Sequence, residues 1–177
     1  MKLKPLIATL ICTSALLAAK AQAEGFNAGL DIQDKVTVAD LGLPAYPGAV
    51  PQSDSKEEKS GVGLSLWGGS FGIKLQVLKF RSADSVDKVS VFYRDALSQY
   101  GKVLDCSVRT GEDEAREASD KKEKKSLRLR CSKEDAGAGK LVFKVGTDDK
   151  HFRMVSIQRE SDGTHFQLIN LSVNGTD

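Results

Sequence analysis

GVGLSLWGGSFGIKLQVLKF, residues 61–80, followed by VDKVSVFYRDALSQYG, residues 86–101, sets two different periods side by side. In the first stretch Val62, Leu64 and Leu66 alternate with small residues, and Ile73, Leu75 and Val77 repeat the pattern. A period of two is that of a strand with distinct faces. Gly68-Gly69 between the two runs can supply the positive φ angles of a tight hairpin turn. The alternation breaks at Val77-Leu78, which predicts a bulge. In the second stretch Val86, Val89, Phe92, Tyr93, Ala96, Leu97 and Tyr100 recur every three or four residues, the stripe of an amphipathic helix. Ser82 or Asp84 is placed to cap its start, and Gly101 to end it. A helix with one apolar stripe needs a sheet to lie on.

The residues downstream supply more strands. Leu104, Cys106 and Val108 share one parity, as do Leu127, Leu129 and Cys131, then Leu141, Phe143 and Val145. Residues 152–159 and 164–173 flank Ser161-Asp162-Gly163, a strong hairpin turn. With no repeated βαβ unit, the order implies an α+β fold. The expectation is a single domain, with a twisted antiparallel sheet of about six or seven strands and one main helix packed on one face. Residues 24–60 read as irregular, because Pro44 and Pro47 forbid a continuous helix and residues 52–60 are polar. Residues 61–177 form the α+β domain. Within it, 109–125 carries six acids and six bases and almost nothing to bury, which predicts a mobile, solvated loop.

Residues 1–23 read as a signal peptide. Lys2 and Lys4 precede an apolar run to Ala19, and Ala21 and Ala23 present the small-x-small pattern that signal peptidase cuts. Cys12 lies within that run behind the bulky Ile11, so no lipid anchor is expected and the processed chain is not membrane-anchored. The expected location is exported, periplasmic or secreted. Cleavage after Ala23 removes three lysines from 26 cations, leaving 23 against 24 acids. That near balance argues against nucleic-acid binding, which needs clustered cations in excess. Two cysteines remain, Cys106 and Cys131. Both fall in the buried parity of their strands and, in an oxidising compartment, are expected to form a disulfide.

Candidate chemistry is sparse. His151 follows Asp148-Asp149-Lys150 and His165 follows Asp162-Gly163-Thr164, and an acid beside a histidine can orient it as a base. Both stretches are turns, where Asp is favoured for backbone reasons. No nucleophile elbow, Cys-x-x-Cys or metal-ligand spacing occurs, and the glycines of 61–72 match no phosphate loop. No catalytic residue, metal ligand or cofactor is therefore assigned. Trp67, beside the hairpin turn, and Tyr46 are the candidate interaction surface.

DLGLPAYPGA, residues 40–49, and VSVFYRDAL, residues 89–97, resemble the "LP-x-YPGA" segment and "V-x-x-FY-x-x-x-L" helix of a group of exported bacterial proteins. The resemblance covers residues 37–106 and implies a shared envelope domain, with no activity to carry over. The function expected is a non-enzymatic binding or interaction module of the cell envelope, its partner an envelope protein or a small ligand. The alternative is a small-molecule or lipid carrier, with ligand between helix and sheet near Val89, Phe92, Phe143 and Phe166. A hydrolase using His151 or His165 is the remaining reading.

Overall fold

Eight strands form one antiparallel sheet, and a single helix lies across one of its faces in a computed structural model. The structure describes residues 27–53, 60–108, 128–135, 137, 139–148 and 150–175. The signal segment with Cys12, Ala21 and Ala23, the charged stretch 109–125 and Leu127 lie outside the described residues.

The strands are β1 (Ala28–Gln33), β2 (Val50–Pro51), β3 (Gly61–Gly68), β4 (Phe71–Ser82), β5 (Leu104–Asp105), β6 (Lys140–Asp148), β7 (His151–Glu160) and β8 (Gly163–Asn174), and the helix is α1 (Val86–Ser98). Their spatial order is β1-β3-β4-β8-β7-β6-β5, with β2 pairing β4 beyond the end of β3. The strand count exceeds the six or seven expected, because β1 and β2 form inside the segment read as irregular. β1 offers only Leu30 and Ile32 as an alternating signal, and β2 is two residues long. Conversely, the strand expected over Leu104–Val108 shortens to two residues, and that expected at 127–131 is an isolated bridge between Arg128 and Asp148. The disulfide holds this end of the molecule in place of a ladder. Cys106 and Cys131 are bonded with Cα atoms 5.2 Å apart, closing a 25-residue span, worth about 3–4 kcal/mol on the chain-entropy account.

Two local expectations shift. The β3–β4 turn is Gly69-Ser70, with Gly69 at φ 61°. No bulge occurs at Val77-Leu78, where β4 stays in register with β3 and β8. The two residues point to opposite faces, and both faces are apolar. The irregularity lies instead between Gly146 and Asp148, opposite the start of β7.

The helix starts one residue after Asp84, at Ser85, whose side chain accepts from the Lys88 N–H. Gly101 takes φ 133° just beyond the helix end. Val89, Tyr93, Ala96 and Leu97 are buried against Phe143, Val145, Val155, Ile157, Phe166 and Leu168 of the sheet. A strap of residues 36–46 completes this core with Val36, Leu41, Leu43 and Tyr46. Arg153 Nε donates to the Leu41 carbonyl at 2.8 Å, the Tyr100 hydroxyl donates to the Gly42 carbonyl, and the Tyr46 hydroxyl donates to Asp84 Oδ2 at 2.8 Å. The small residues of β3 make room for the strap. A Cβ on Gly63 would stand 2.9 Å from Val36 Cγ2, and one on Gly61 would stand 3.4 Å from the Val36 carbonyl oxygen.

The Tyr46–Asp84 bond predicts a pH response. The Tyr46 hydroxyl foremost, then Lys88, holds the Asp84 carboxyl below its ordinary value of 3.8. A carboxyl lowered in the folded state contributes stability that is present above its unfolded value and lost as pH falls through the folded one. Melting temperature should therefore drop as pH falls below about 4, and Tyr46→Phe should flatten that acid limb while lowering the plateau above it. Thermal unfolding of both proteins across pH checks this. Parallel acid limbs would show that the bond carries none of the dependence.

Candidate functional site

Strand alternation puts every second side chain on the face away from the helix. On β4 those are Ile73, Leu75 and Val77, and on β8 Val173, Leu171 and Ile169, paired directly across the ladder. On β3 they are Leu66, Leu64 and Val62, opposite the same three residues of β4. On β1 Leu30 pairs with Leu66 and Ile32 with Leu64. On β7 Phe152 pairs with Leu171 and Met154 with Ile169. The result is an apolar lattice of three rows crossing up to five strands. The alternating apolar set noticed in residues 61–77 is thus found, but it turns away from the helix. The glycines between its members receive the strap.

Burial across the lattice is graded. At the β6 end the disulfide closes a second, smaller core of Cys106, Cys131 and Val142, with Leu104 and Met154 packed against it. A buried ion pair backs this wall, with Lys144 Nζ 2.6 Å from Asp135 Oδ2. Toward β1 the face opens. Leu30 and Ile32 are 60% and 61% exposed, and Val62, Leu64 and Leu66 are 45%, 36% and 41% exposed.

Beyond the third row the same face becomes polar. Lys79, Gln167 and Ser156 form a fourth row, and Arg81, His165, Gln158 and Lys140 a fifth. A cleft of about 430 Å³ lies there, lined by Gln52, Lys79, Lys140, Ser156, Gln158 and Glu160 among others. Asp162 organises its edge, accepting from Arg81 at 2.9 Å and lying 2.6 Å from His165 Nε2. Burial pushes the Asp162 carboxyl up, but His165 and Arg81 outweigh it and the value is lowered.

The histidines do not meet. His165 Nδ1 lies 2.8 Å from Gln52 Nε2, so with Asp162 on Nε2 both its ring nitrogens are engaged. His151 lies 3.2 Å from Asp148 through Nδ1 and 3.3 Å from Asn174 through Nε2. His165 pairs with Gln158 on β7, seven residues from His151, a separation of roughly 24 Å along the strand. Among the described residues no group of three His, Cys, Asp or Glu side chains could hold a metal ion.

Tyr46 and Trp67 sit elsewhere. Tyr46 is 9% exposed, its ring 5.0 Å from Phe92 and 6.0 Å from Phe166, so the LP-x-YPGA segment and the Phe92-Tyr93 helix pack on one another. Its edge joins Pro47, Val91 and Phe92 around a shallow apolar groove of about 620 Å³, rimmed by Asp84, Asp87 and Lys88. Trp67 is 47% exposed and lies across Gly29, on the opposite side of the sheet from the lattice. Among the described residues no helix is long and apolar enough to cross a membrane. No known protein family, curated protein or solved structure matches the chain.

Proposed function

We propose that this chain is a non-enzymatic binding module of an exported cell-envelope protein, and that it binds through the open face of its sheet. The observation that carries the reading is the lattice itself, whose outer strands β1 and β3 expose Leu30, Ile32, Val62, Leu64 and Leu66 to solvent. A contiguous apolar surface of this kind costs solubility and marks a contact site far more often than scattered exposed leucines do. Support for export comes from the disulfide, which persists in oxidising compartments. A ligand between helix and sheet is not part of this reading, because Val89, Phe143 and Phe166 fill that space and are at most 2% exposed.

Leu64→Glu together with Leu66→Glu tests the reading. Both side chains lie on the open face, 36% and 41% exposed, so the double variant should stay folded at a cost of about 1–3 kcal/mol, which thermal unfolding confirms before the binding comparison. Nile red, a neutral apolar dye, should bind the parent protein and lose most of its fluorescence enhancement with the variant. Equal enhancement by the two folded proteins would move the binding surface off this face.

A further inference from the structure

We propose that a second copy of this chain pairs with the outer edge of β1, joining two sheets antiparallel about a two-fold axis at Leu30. β1 is the end strand of the sheet, and among the described residues no strand flanks its outer side. The Gly69 N–H donates to the Asn27 carbonyl at 3.2 Å, so Asn27 turns toward β3. In an antiparallel ladder that orientation alternates along the strand. Gly29, Asp31 and Gln33 therefore also bond inward, and Ala28, Leu30 and Ile32 point their N–H and C=O groups out of the sheet. Leu30 and Ile32 are 60% and 61% exposed. Such an edge is ordinarily blunted by Lys, Pro, a bulge or shortness. β1 has no Lys, Pro or bulge over its six residues, and its register with β3 is regular. The opposite edge is built differently. There β5 has two residues, and the disulfide at Cys106 ties down the chain directly after it.

The order of residues along this edge selects a copy of itself as the partner. With Leu30 opposite Leu30 of the second copy, Ala28 meets Ile32, and every outward main-chain group of the three residues finds its counterpart. Directly opposite residues share a face, so these apolar side chains lie together. On the other face Asn27 meets Gln33, amide to amide. Gly29 meets Asp31, which keeps the two carboxylates apart. Centring the pair on Asp31 instead sets like charges opposite each other and leaves Ala28 with no counterpart in β1. Centring it on Gly29 leaves Ile32 with none. The two-fold axis stands perpendicular to the sheet, so both helices lie on one side and both open faces on the other. The row Leu30–Leu66–Ile73–Val173 then runs on into the same row of the second copy. The contact is isologous and occupies the whole edge, so assembly stops at two. It does not depend on what the open face binds.

The test is sedimentation equilibrium of the processed, disulfide-bonded protein. One pair of strands buries less than the ~800 Å² per partner of a standard interface, so the dimer forms reversibly on concentration. Weight-average mass should rise from one chain toward two between about 5 µM and about 1 mM. Leu30→Pro removes an outward N–H and leaves the β1–β3 bonds in place, and it should raise the concentration needed by about tenfold or more. Trp67, the single tryptophan, lies across Gly29, so unchanged emission reports that β1 is still seated in that variant. A second measurement does not use proline. Under mild oxidation Leu30→Cys should cross-link two chains, its Cα atoms lying about 5.5 Å apart, whereas Ile32→Cys, about 14 Å from its copy, should not. A chain that stays monomeric throughout, a dimer equally stable in Leu30→Pro, or cross-linking at Ile32 in preference to Leu30 would overturn the inference and leave the binding face standing.

Discussion

Lys144→Ala should lower the unfolding free energy by about 3–5 kcal/mol, because it strands a buried carboxylate. Lys144 and Asp135 are 9% and 7% exposed at their side chains, with Nζ and Oδ2 2.6 Å apart. Asp135 also accepts the Ser132 N–H at 2.6 Å, so it cannot turn out to solvent without releasing the 132–135 turn. Lys144 Nζ lies 5.4 Å from the centre of the Phe152 ring and 3.4 Å from the Arg130 carbonyl. The pair thus fastens the segment after Cys131 to β6, and that segment walls one side of the apolar face. Urea unfolding of the disulfide-intact protein measures the loss. Replacing both partners, as Lys144→Met with Asp135→Leu, should recover most of it, since no lone charge then remains. A loss below about 1 kcal/mol for Lys144→Ala would mean that water reaches Asp135.

Phe166→Ala should cost a similar amount, about 3–5 kcal/mol, for a different reason. Its ring is 1% exposed and sits where the sheet, the helix and the strap meet. It stacks on Phe80 at 5.5 Å and lies 5.4 Å from Tyr93 and 6.0 Å from Tyr46. Three elements converge on this side chain, so none can close the cavity without pulling away from the others. Phe166→Leu should cost markedly less, since it leaves a smaller void. Equal losses for the two would point to lost ring-to-ring contacts rather than cavity volume.

Much of this architecture is legible in the sequence, in particular places and for particular reasons. The helix is read from a stripe that appears in the structure as Val89, Tyr93, Ala96 and Leu97 buried together. The hairpin at Asp162-Gly163 is read from turn chemistry, with Gly163 at φ 142°. The cysteine pair is read from its even count after signal removal, although neither cysteine lies in the strand its parity suggested. Val77-Leu78 is instructive in the other direction. Adjacent apolar residues suggest a bulge only if one face of a strand is assumed to be wet, and here both faces are apolar. That pair was the signal of the open face. The Lys144–Asp135 pair leaves no such mark, because two charges nine residues apart match no motif. Only the closeness of β6 to the segment after Cys131 brings them together. The lattice is likewise a property of register. Leu30, Leu66, Ile73 and Val173 become one row only once four strands are aligned.

The exposed apolar face is the centre of this account, and paramagnetic broadening in methyl spectra by a neutral spin-labelled hydrocarbon probes it most directly. Signals of Leu64, Leu66, Ile73, Leu75, Val77, Ile169 and Leu171 should broaden together, while those of Val89, Leu97, Ile157 and Leu168 in the helix-side core stay sharp. Broadening confined to Val91, beside the groove at Tyr46 and Phe92, would contradict the account and move the binding surface to the helix side of the sheet.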